Sequence, residues 1–377
     1  MTGFKWHWPG FVARIQTPTW LVYLLIGAVT ACSETSSLDS SFAGLGDIAE
    51  EGFRQPSPRD GIELPRDMGP HPDYRIEWWY LTANLTTAEG TPMGLQWTQF
   101  RRGLQPPTAN DPGTVDHHWP LDTIWMSHAA VSFDGRHVFE ERLARGGIGQ
   151  TGATAEPFHV WLDDWQLSEG QNGHWELSAG AGAGDWHYTL RIRPQRPIVR
   201  HGQNGFSAKS VDGQGSMYFS FVDLAIDGTV TIDGQTLAVS GQGWFDREWS
   251  SQLLKAEEGG WDWLALHLGN GDKVMAFRLG QEDQPFRSAT WVAANGEVET
   301  LSANQFTLEP LHRRKTSAGT VPDQWRLTIP SKNIVVAVTV PPGNYWNDGV
   351  FPYWESPVAV SGSHRGTGYL EMTGYHR

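Results

Sequence analysis

The chain has 377 residues and a formal charge of −14, from 28 Lys and Arg against 42 Asp and Glu. Its longest basic run is Arg313-Arg314-Lys315, and phosphate recognition needs clustered cations, so nucleic acid is excluded as a partner. The length suits two domains, and one cysteine leaves no disulfide framework to support them.

Residues 1–31 read as an export signal: Lys5 and Arg14 supply positive charge, and Trp20 to Val29 forms an apolar stretch too short to span a bilayer stably. Val29-Thr30-Ala31-Cys32 resembles a bacterial lipobox, which implies that Cys32 becomes a lipidated first residue. Ser33 rather than Asp follows it, and by the same resemblance this favours the outer membrane. The expected location is the bacterial cell envelope, lipid-anchored on the periplasmic side. Residues 32–70, rich in Ser, Gly, Pro and charge, read as a flexible tether without a functional role.

Beyond Pro70 short aromatic or β-branched runs are separated by turn signals at Asp134-Gly135, Asp227-Gly228, Asp233-Gly234, Asn270-Gly271 and Asn295-Gly296. The clearest meander runs from Ser216 to Gly241, turning at Asp227-Gly228. No long amphipathic helix is indicated, and the fold class is all-β, a sandwich or barrel. Glu77-Trp78-Trp79-Tyr80-Leu81, leading to Phe100-Arg101, is echoed by Asp262-Trp263-Leu264-Ala265-Leu266, leading to Phe277-Arg278. The echo suggests two units, 71–245 and 246–377. A Pro-rich loop from Gln105 to Pro120 carries His117-His118 and could cover a barrel mouth.

Acidic side chains recur beside tryptophan at Glu77-Trp78-Trp79, Trp244-Phe245-Asp246-Arg247-Glu248-Trp249, Trp261-Asp262-Trp263 and Trp354-Glu355, in a chain with 20 Trp. A carboxyl walled in by indole rings loses solvation, and its pKa rises. In an extended Gly243 to Gln252, Trp244, Asp246 and Glu248 share one face, while Phe245, Arg247 and Trp249 point the other way. Two readings stay open. One carboxyl acts as a general acid, or Asp246 or Glu248 pairs with Arg247 and pins a strand junction. Burial should raise the carboxyl pKa and the nearby Arg247 should lower it. Trp261 and Trp263 share a face opposite Asp262, and Glu77 opposes Trp78. Both motifs read chiefly as barrel builders, with a tryptophan plugging the closed end beneath a stacked Arg. His128, in an alternating run, reads as a hydrogen-bonded barrel residue or a site residue. The 14 histidines show no metal-ligand spacing, so no metal is expected. No Gly-x-Ser-x-Gly elbow or phosphate loop occurs.

The segments His71 to Tyr80, Gln96-Trp97-Thr98-Gln99-Phe100-Arg101, Ser127-His128-Ala129-Ala130, Trp244 to Ser250, Gly260-Trp261-Asp262-Trp263 and Gly366 to Tyr375 together resemble, in chain order, the AttH and carotenoid 1,2-hydratase group of lipocalin-like proteins. The resemblance covers about 71–377. It implies two tandem lipocalin-like (calycin) antiparallel β-barrel units, no cofactor, and either secreted hydrolase activity or companionship with an ABC transporter. One branch of the group hydrates an isolated double bond on a long polyene; others act on phenolic or polyketide-like ligands. By motif position Asp246 falls at the hydratase acid, and His71, Glu77, Tyr218, Glu248 and Trp261 match recurrent positions. The group commonly has His where this chain has Arg247, which stays charged and cannot cycle a proton.

The expected catalytic set is therefore Asp246, assisted by Glu248 and Tyr218. The expected ligand-binding set is His71, Glu77, Trp79, His128, Trp244, Trp261 and Trp263. Three functions follow for a hydrophobic pocket or tryptophan surface. They are a cofactor-free hydratase or hydrolase, a lipid-anchored carrier serving an ABC transporter, and a glycan-binding module. A neutral acid facing a cavity supports the first, an acid locked on Arg247 the second, and a flat exposed tryptophan stripe the third.

Overall fold

The computed structural model describes residues 52–107, 122–181, 185–251, 260–280 and 285–376. Two large antiparallel sheets, each curled towards closure, account for most of them, as the all-β, two-barrel expectation requires. The first contains β1 (Ile76–Thr87), β2 (Pro92–Gly103), β3 (Thr123–Phe133), β4 (Arg136–Arg145), β5 (Thr151–Ala155), β6 (Phe158–Leu162), β7 (Trp165–Glu169), β8 (Trp175–Gly180), β9 (Trp186–Pro194), β10 (Val199–Arg200), β11 (Phe206–Ala208), β12 (Gly215–Ile232) and β13 (Gln235–Ser250). The second contains β14 (Trp261–Leu268), β15 (Lys273–Leu279), β16 (Phe286–Val292), β17 (Val298–Leu301), β18 (Thr307–Lys315), β19 (Thr320–Ile329), β20 (Ile334–Thr339), β21 (Trp346–Asn347), β22 (Tyr353–Gly362) and β23 (Gly366–Met372). Among the described residues helix is confined to short 3-10 pieces such as Arg66–Met68.

Side chains alternate across each strand, so each sheet has an inner and an outer face. The inner faces make two cores, one around Trp79, Trp97, Trp165 and Phe245, the other around Leu264, Trp325, Trp354 and Leu370. Outer faces of both sheets supply a third cluster, including Tyr80, Tyr218, Trp244, Trp263, Phe277 and Tyr369, which forms a seam between the barrels. There β1 packs on β23 and β2 on β22, while Trp244 of β13 meets Trp263 of β14 edge-on. A bulge in β12 between Phe221 and Leu224 inverts the alternation: Tyr218 and Val222 face the seam, whereas Leu224 and Ile226 enter the first core.

Three sequence expectations are corrected here. A boundary at 245/246 would cut β13, which stays paired with β1 out to Ile76 opposite Ser250; the division falls between Ser250 and Trp261. The described part of the expected tether, residues 52–70, packs on the first barrel, burying Phe53, Ile62 and Met68 and accepting the Trp79 indole N–H on the Met68 carbonyl at 2.8 Å. Asp227-Gly228 lies inside β12, whose hairpin to β13 turns at Asp233-Gly234, both with positive φ. Gly228 is needed for close approach, since a Cβ there would sit 2.2 Å from the Thr189 carbonyl oxygen on β9. Residues 1–31, Cys32 and His117-His118 lie outside the described residues.

The internal echo holds in register. Across β1 and β2, Glu77 pairs with Arg101 and Trp78 with Phe100; across β14 and β15, Asp262 pairs with Arg278 and Trp263 with Phe277. Each acid turns into its own barrel to meet that arginine, and each tryptophan packs at the seam. On the opposite flank Trp78 is paired with Glu248, and Trp263 with Glu371.

Candidate functional site

One register row crosses the first sheet on its seam side: Ser220 on β12, Asp246 on β13, Tyr80 on β1, Thr98 on β2, His128 on β3 and Glu141 on β4. Cross-strand neighbours lie about 5 Å apart, so six strands lay a polar band beneath the second barrel. Asp246 sits near one end of it.

The Asp246 carboxyl is 3 % exposed. Oδ2 accepts from the Tyr218 hydroxyl at 2.8 Å, and Oδ1 accepts from the Trp244 indole N–H at 2.6 Å and from the Ser220 hydroxyl. Among the described residues Asp246 forms no ion pair. Burial raises its pKa to about 7 against the opposing pull of these hydrogen bonds, and the charge of Glu248 adds to the rise. Tyr218 also accepts from the Trp263 indole at 3.2 Å, joining the second barrel to the acid. Ser220 is held by His201 Nε2 at 2.7 Å, whose Nδ1 meets Thr290 Oγ1 of β16 at 2.9 Å. Burial takes the His201 pKa down to about 3, so the ring is neutral.

Two further acids enter from the second sheet. Glu355 on β22 and Glu371 on β23 are direct cross-strand partners. Glu355 accepts from the Tyr80 hydroxyl at 2.8 Å, and Glu371 from the Trp261 indole at 2.6 Å. Burial raises the pKa of Glu371 to about 8, helped by the charge of Asp246, and burial followed by the charge of Glu371 raises that of Glu355. Glu248 differs: Lys209 Nζ lies 3.0 Å away and the Ser216 hydroxyl donates to it.

The expected set therefore divides. Asp246, Glu248, Tyr218, Trp244, Trp261 and Trp263 gather at the seam. His128 shares the row three strands from Asp246, bonded to Tyr353 Oη at 2.9 Å and Glu141 Oε2 at 2.9 Å; burial lowers its pKa despite Glu141. His71, Glu77 and Trp79 lie on the other side of the sheet. There Arg247 stacks 3.9 Å over Trp79, Arg247 and Arg101 both reach Glu77, and His71 stacks 3.9 Å from Trp249. Burial alone would raise the Glu77 pKa, but the two guanidiniums hold it well below the usual carboxylate range. The expected pull of Arg247 on Asp246 is absent, because consecutive strand residues face opposite sides. Sequence reasoning did not assign Tyr80, His201, Ser220, Glu355 or Glu371 to the site; the Trp354-Glu355 adjacency signalled one of them, and Tyr80 and Glu371 lie within segments that carry the family resemblance.

Trp78, Trp261 and Phe286, each half-buried, pack on the seam cluster and mark where it approaches solvent. A surface depression around His174, Glu176, Arg191 and Arg193 shares no residue with it and brings together no comparable acid. No group of three or more metal-ligating side chains occurs among the described residues.

The raised acids make stability depend on pH. Folding raises the pKa of Asp246, Glu355 and Glu371, whereas the unfolded chain ionises these groups near pH 4. The folded state then binds more protons, and stability falls as pH rises. His128, His137, His201 and His267, buried with lowered pKa values, act in the opposite sense only below about pH 6.5. Between pH 6.5 and 8 the melting temperature is expected to fall, with a loss on the order of 1–2 kcal/mol from Glu371, and Glu371→Gln should flatten the profile. Melts of the two proteins that run parallel over this range would contradict the assignment.

The AttH-like family model matches residues 55–375. Among solved structures, an assigned AttH from Nitrosomonas europaea is 29 % identical with a TM-score of 0.76, covering 86 % of this chain and 100 % of its own. Kievitone hydratase from Nectria haematococca aligns with a TM-score of 0.63 at 15 % identity, covering 86 % of this chain and 97 % of its own. CghA, solved with Sch210972, gives 0.51 at 12 % identity, covering 87 % and 97 %. At these last two identities the likeness is one of fold. No curated protein matches the chain. With the family pattern spanning both barrels and the seam between them, the chain belongs to the AttH-like family.

Proposed function

We propose that the protein is a cofactor-free hydratase acting on an isolated carbon-carbon double bond of a hydrophobic molecule bound at the seam. The observation that carries this reading is Asp246, a buried carboxyl with no ion pair among the described residues and with a pKa of about 7, set among Tyr80, Trp244 and Trp263. In its neutral form it can protonate an alkene carbon. The cation left on the neighbouring carbon is stabilised by indole faces, and water adds to it. The shared fold of kievitone hydratase, whose name denotes a hydration, supports the assignment. The carrier reading rested on Asp246 locked to Arg247, which lie on opposite faces; the glycan reading rested on a flat tryptophan stripe, whereas Trp244 and Trp263 are buried. The export signal and Val29-Thr30-Ala31-Cys32 support action at a bacterial membrane surface.

The test is incubation of the purified protein at pH 7 in ¹⁸O-labelled water with two probes, an acyclic polyene and a prenylated phenol, each bearing a trisubstituted double bond. An alcohol that carries ¹⁸O is expected from at least one. Saturable binding of both probes without alcohol would instead make the protein a carrier.

A further inference from the structure

Hydration needs two proton transfers, one to carbon and one from water, and Asp246 accounts for the first. Glu355 and Glu371 are directly opposed on neighbouring strands, a placement that brings their Cβ atoms to roughly 5 Å. Both side chains face the seam: Glu355 is wholly buried and Glu371 is 7 % exposed. Their outside partners are neutral donors, the Tyr80 hydroxyl and the Trp261 indole. Glu355 Oε2 is buried without a hydrogen-bonding partner beyond the pair. Two carboxylates so placed, with no ion pair to either among the described residues, repel each other when both are ionised, so one can carry a proton while the other accepts one.

Placement ties the pair to Asp246. Tyr80 is the cross-strand neighbour of Asp246 and donates to Glu355. Glu371 is opposite Trp263, whose indole reaches Tyr218, the donor to Asp246. Tyr80 thus stands between Asp246 and Glu355, and Tyr218 with Trp263 between Asp246 and Glu371.

We propose that the Glu355–Glu371 pair is the second acid–base group of this site, taking a proton from the attacking water while Asp246 gives one to carbon. This rests on the hydratase reading above. The Asp246 O–H bond breaks and a C–H bond forms with the alkene π electrons. The water oxygen bonds to the cationic carbon, and its O–H bond breaks towards the ionised carboxylate of the pair. After the alcohol leaves, the pair releases that proton to solvent water and Asp246 regains one from it, so the cycle consumes only alkene and water.

The two transfers separate by isotope. With the polyene or prenylated phenol that the wild type hydrates, reversible protonation by Asp246 places deuterium from D₂O in recovered alkene, and water addition places ¹⁸O in the alcohol. Glu371→Gln and Glu355→Gln are expected to lower ¹⁸O incorporation by about 10²-fold or more while deuterium uptake stays within a few-fold. Thermal melts of both variants establish that they fold, and the Gln side chain at 355 can still accept from Tyr80. Parallel loss of both labels in a folded variant, or retention of both, overturns the role of the pair but leaves Asp246 as the acid. Wild-type protein that introduces neither label overturns the hydratase reading and the pair together.

Discussion

Asp246→Asn is expected to lower turnover by about 10²- to 10⁴-fold, the span a positioned general acid contributes, without unfolding the protein. The amide keeps the shape of the carboxyl. Its oxygen can accept from Trp244 and Ser220, which converge on Oδ1, and its NH₂ can donate to the Tyr218 oxygen in place of the bond that Tyr218 donates to Oδ2. Stability at pH 8 should equal or exceed that of the wild type, because the folded carboxyl holds its proton to about pH 7 whereas the unfolded one ionises near pH 4, a difference that costs the wild type stability above that range. Wild-type activity should itself decline as pH rises through about 7, as the acid is lost. Turnover in ¹⁸O-labelled water and thermal melts at pH 8 check both halves. An Asn variant that unfolds would make the carboxyl a structural pin, and one that retains full activity would remove it from the chemistry.

Glu77→Ala should show the reverse profile, with stability as the main loss. Glu77 is wholly buried and meets Arg101, Arg247 and the His71 backbone N–H, the last at 3.0 Å. Its removal leaves two guanidiniums inside the first barrel without their carboxylate, and breaking a buried pair from one side costs about 3–5 kcal/mol. A fall in melting temperature on the order of 10 °C is expected for a unit of this size. Arg247→Met combined with Glu77→Met should cost less than the two single changes added together, since each single change leaves a charge unpaired and the double leaves fewer. Additive losses in a double-mutant cycle would show that the two groups are not coupled.

Parity was legible because it is local. Alternation alone put Trp244, Asp246 and Glu248 on one face and Phe245, Arg247 and Trp249 on the other, and the strand keeps that arrangement. Which side was the seam was not legible, nor was the sheet's thickness as a screen between Arg247 and Asp246. Glu355 and Glu371 reach the site through pairings more than a hundred residues from Asp246, and no periodicity in β22 or β23 reveals them. The boundary at 245 failed for a related reason: where β13 ends depends on how far β1 extends to pair with it. Asp227-Gly228 carries the turn composition, yet β9 lies alongside and holds that stretch extended.

The matched registers of the two sheets bear on how the acid cluster is kept together. β1 lies on β23, the counterpart of β13, and β13 meets β14, the counterpart of β1, so the contacts of the two halves are reciprocal, as in an isologous dimer. Here both partners belong to one polypeptide, joined between Ser250 and Trp261. Two separate subunits would come apart on dilution, whereas a covalent joint fixes their effective concentration and makes assembly independent of how much protein is present. Fusion also frees the halves from identity. Counting from the Glu248 and Glu371 positions, Asp246 in one half corresponds to Tyr369 in the other, a difference that two identical subunits related by a dyad could not carry.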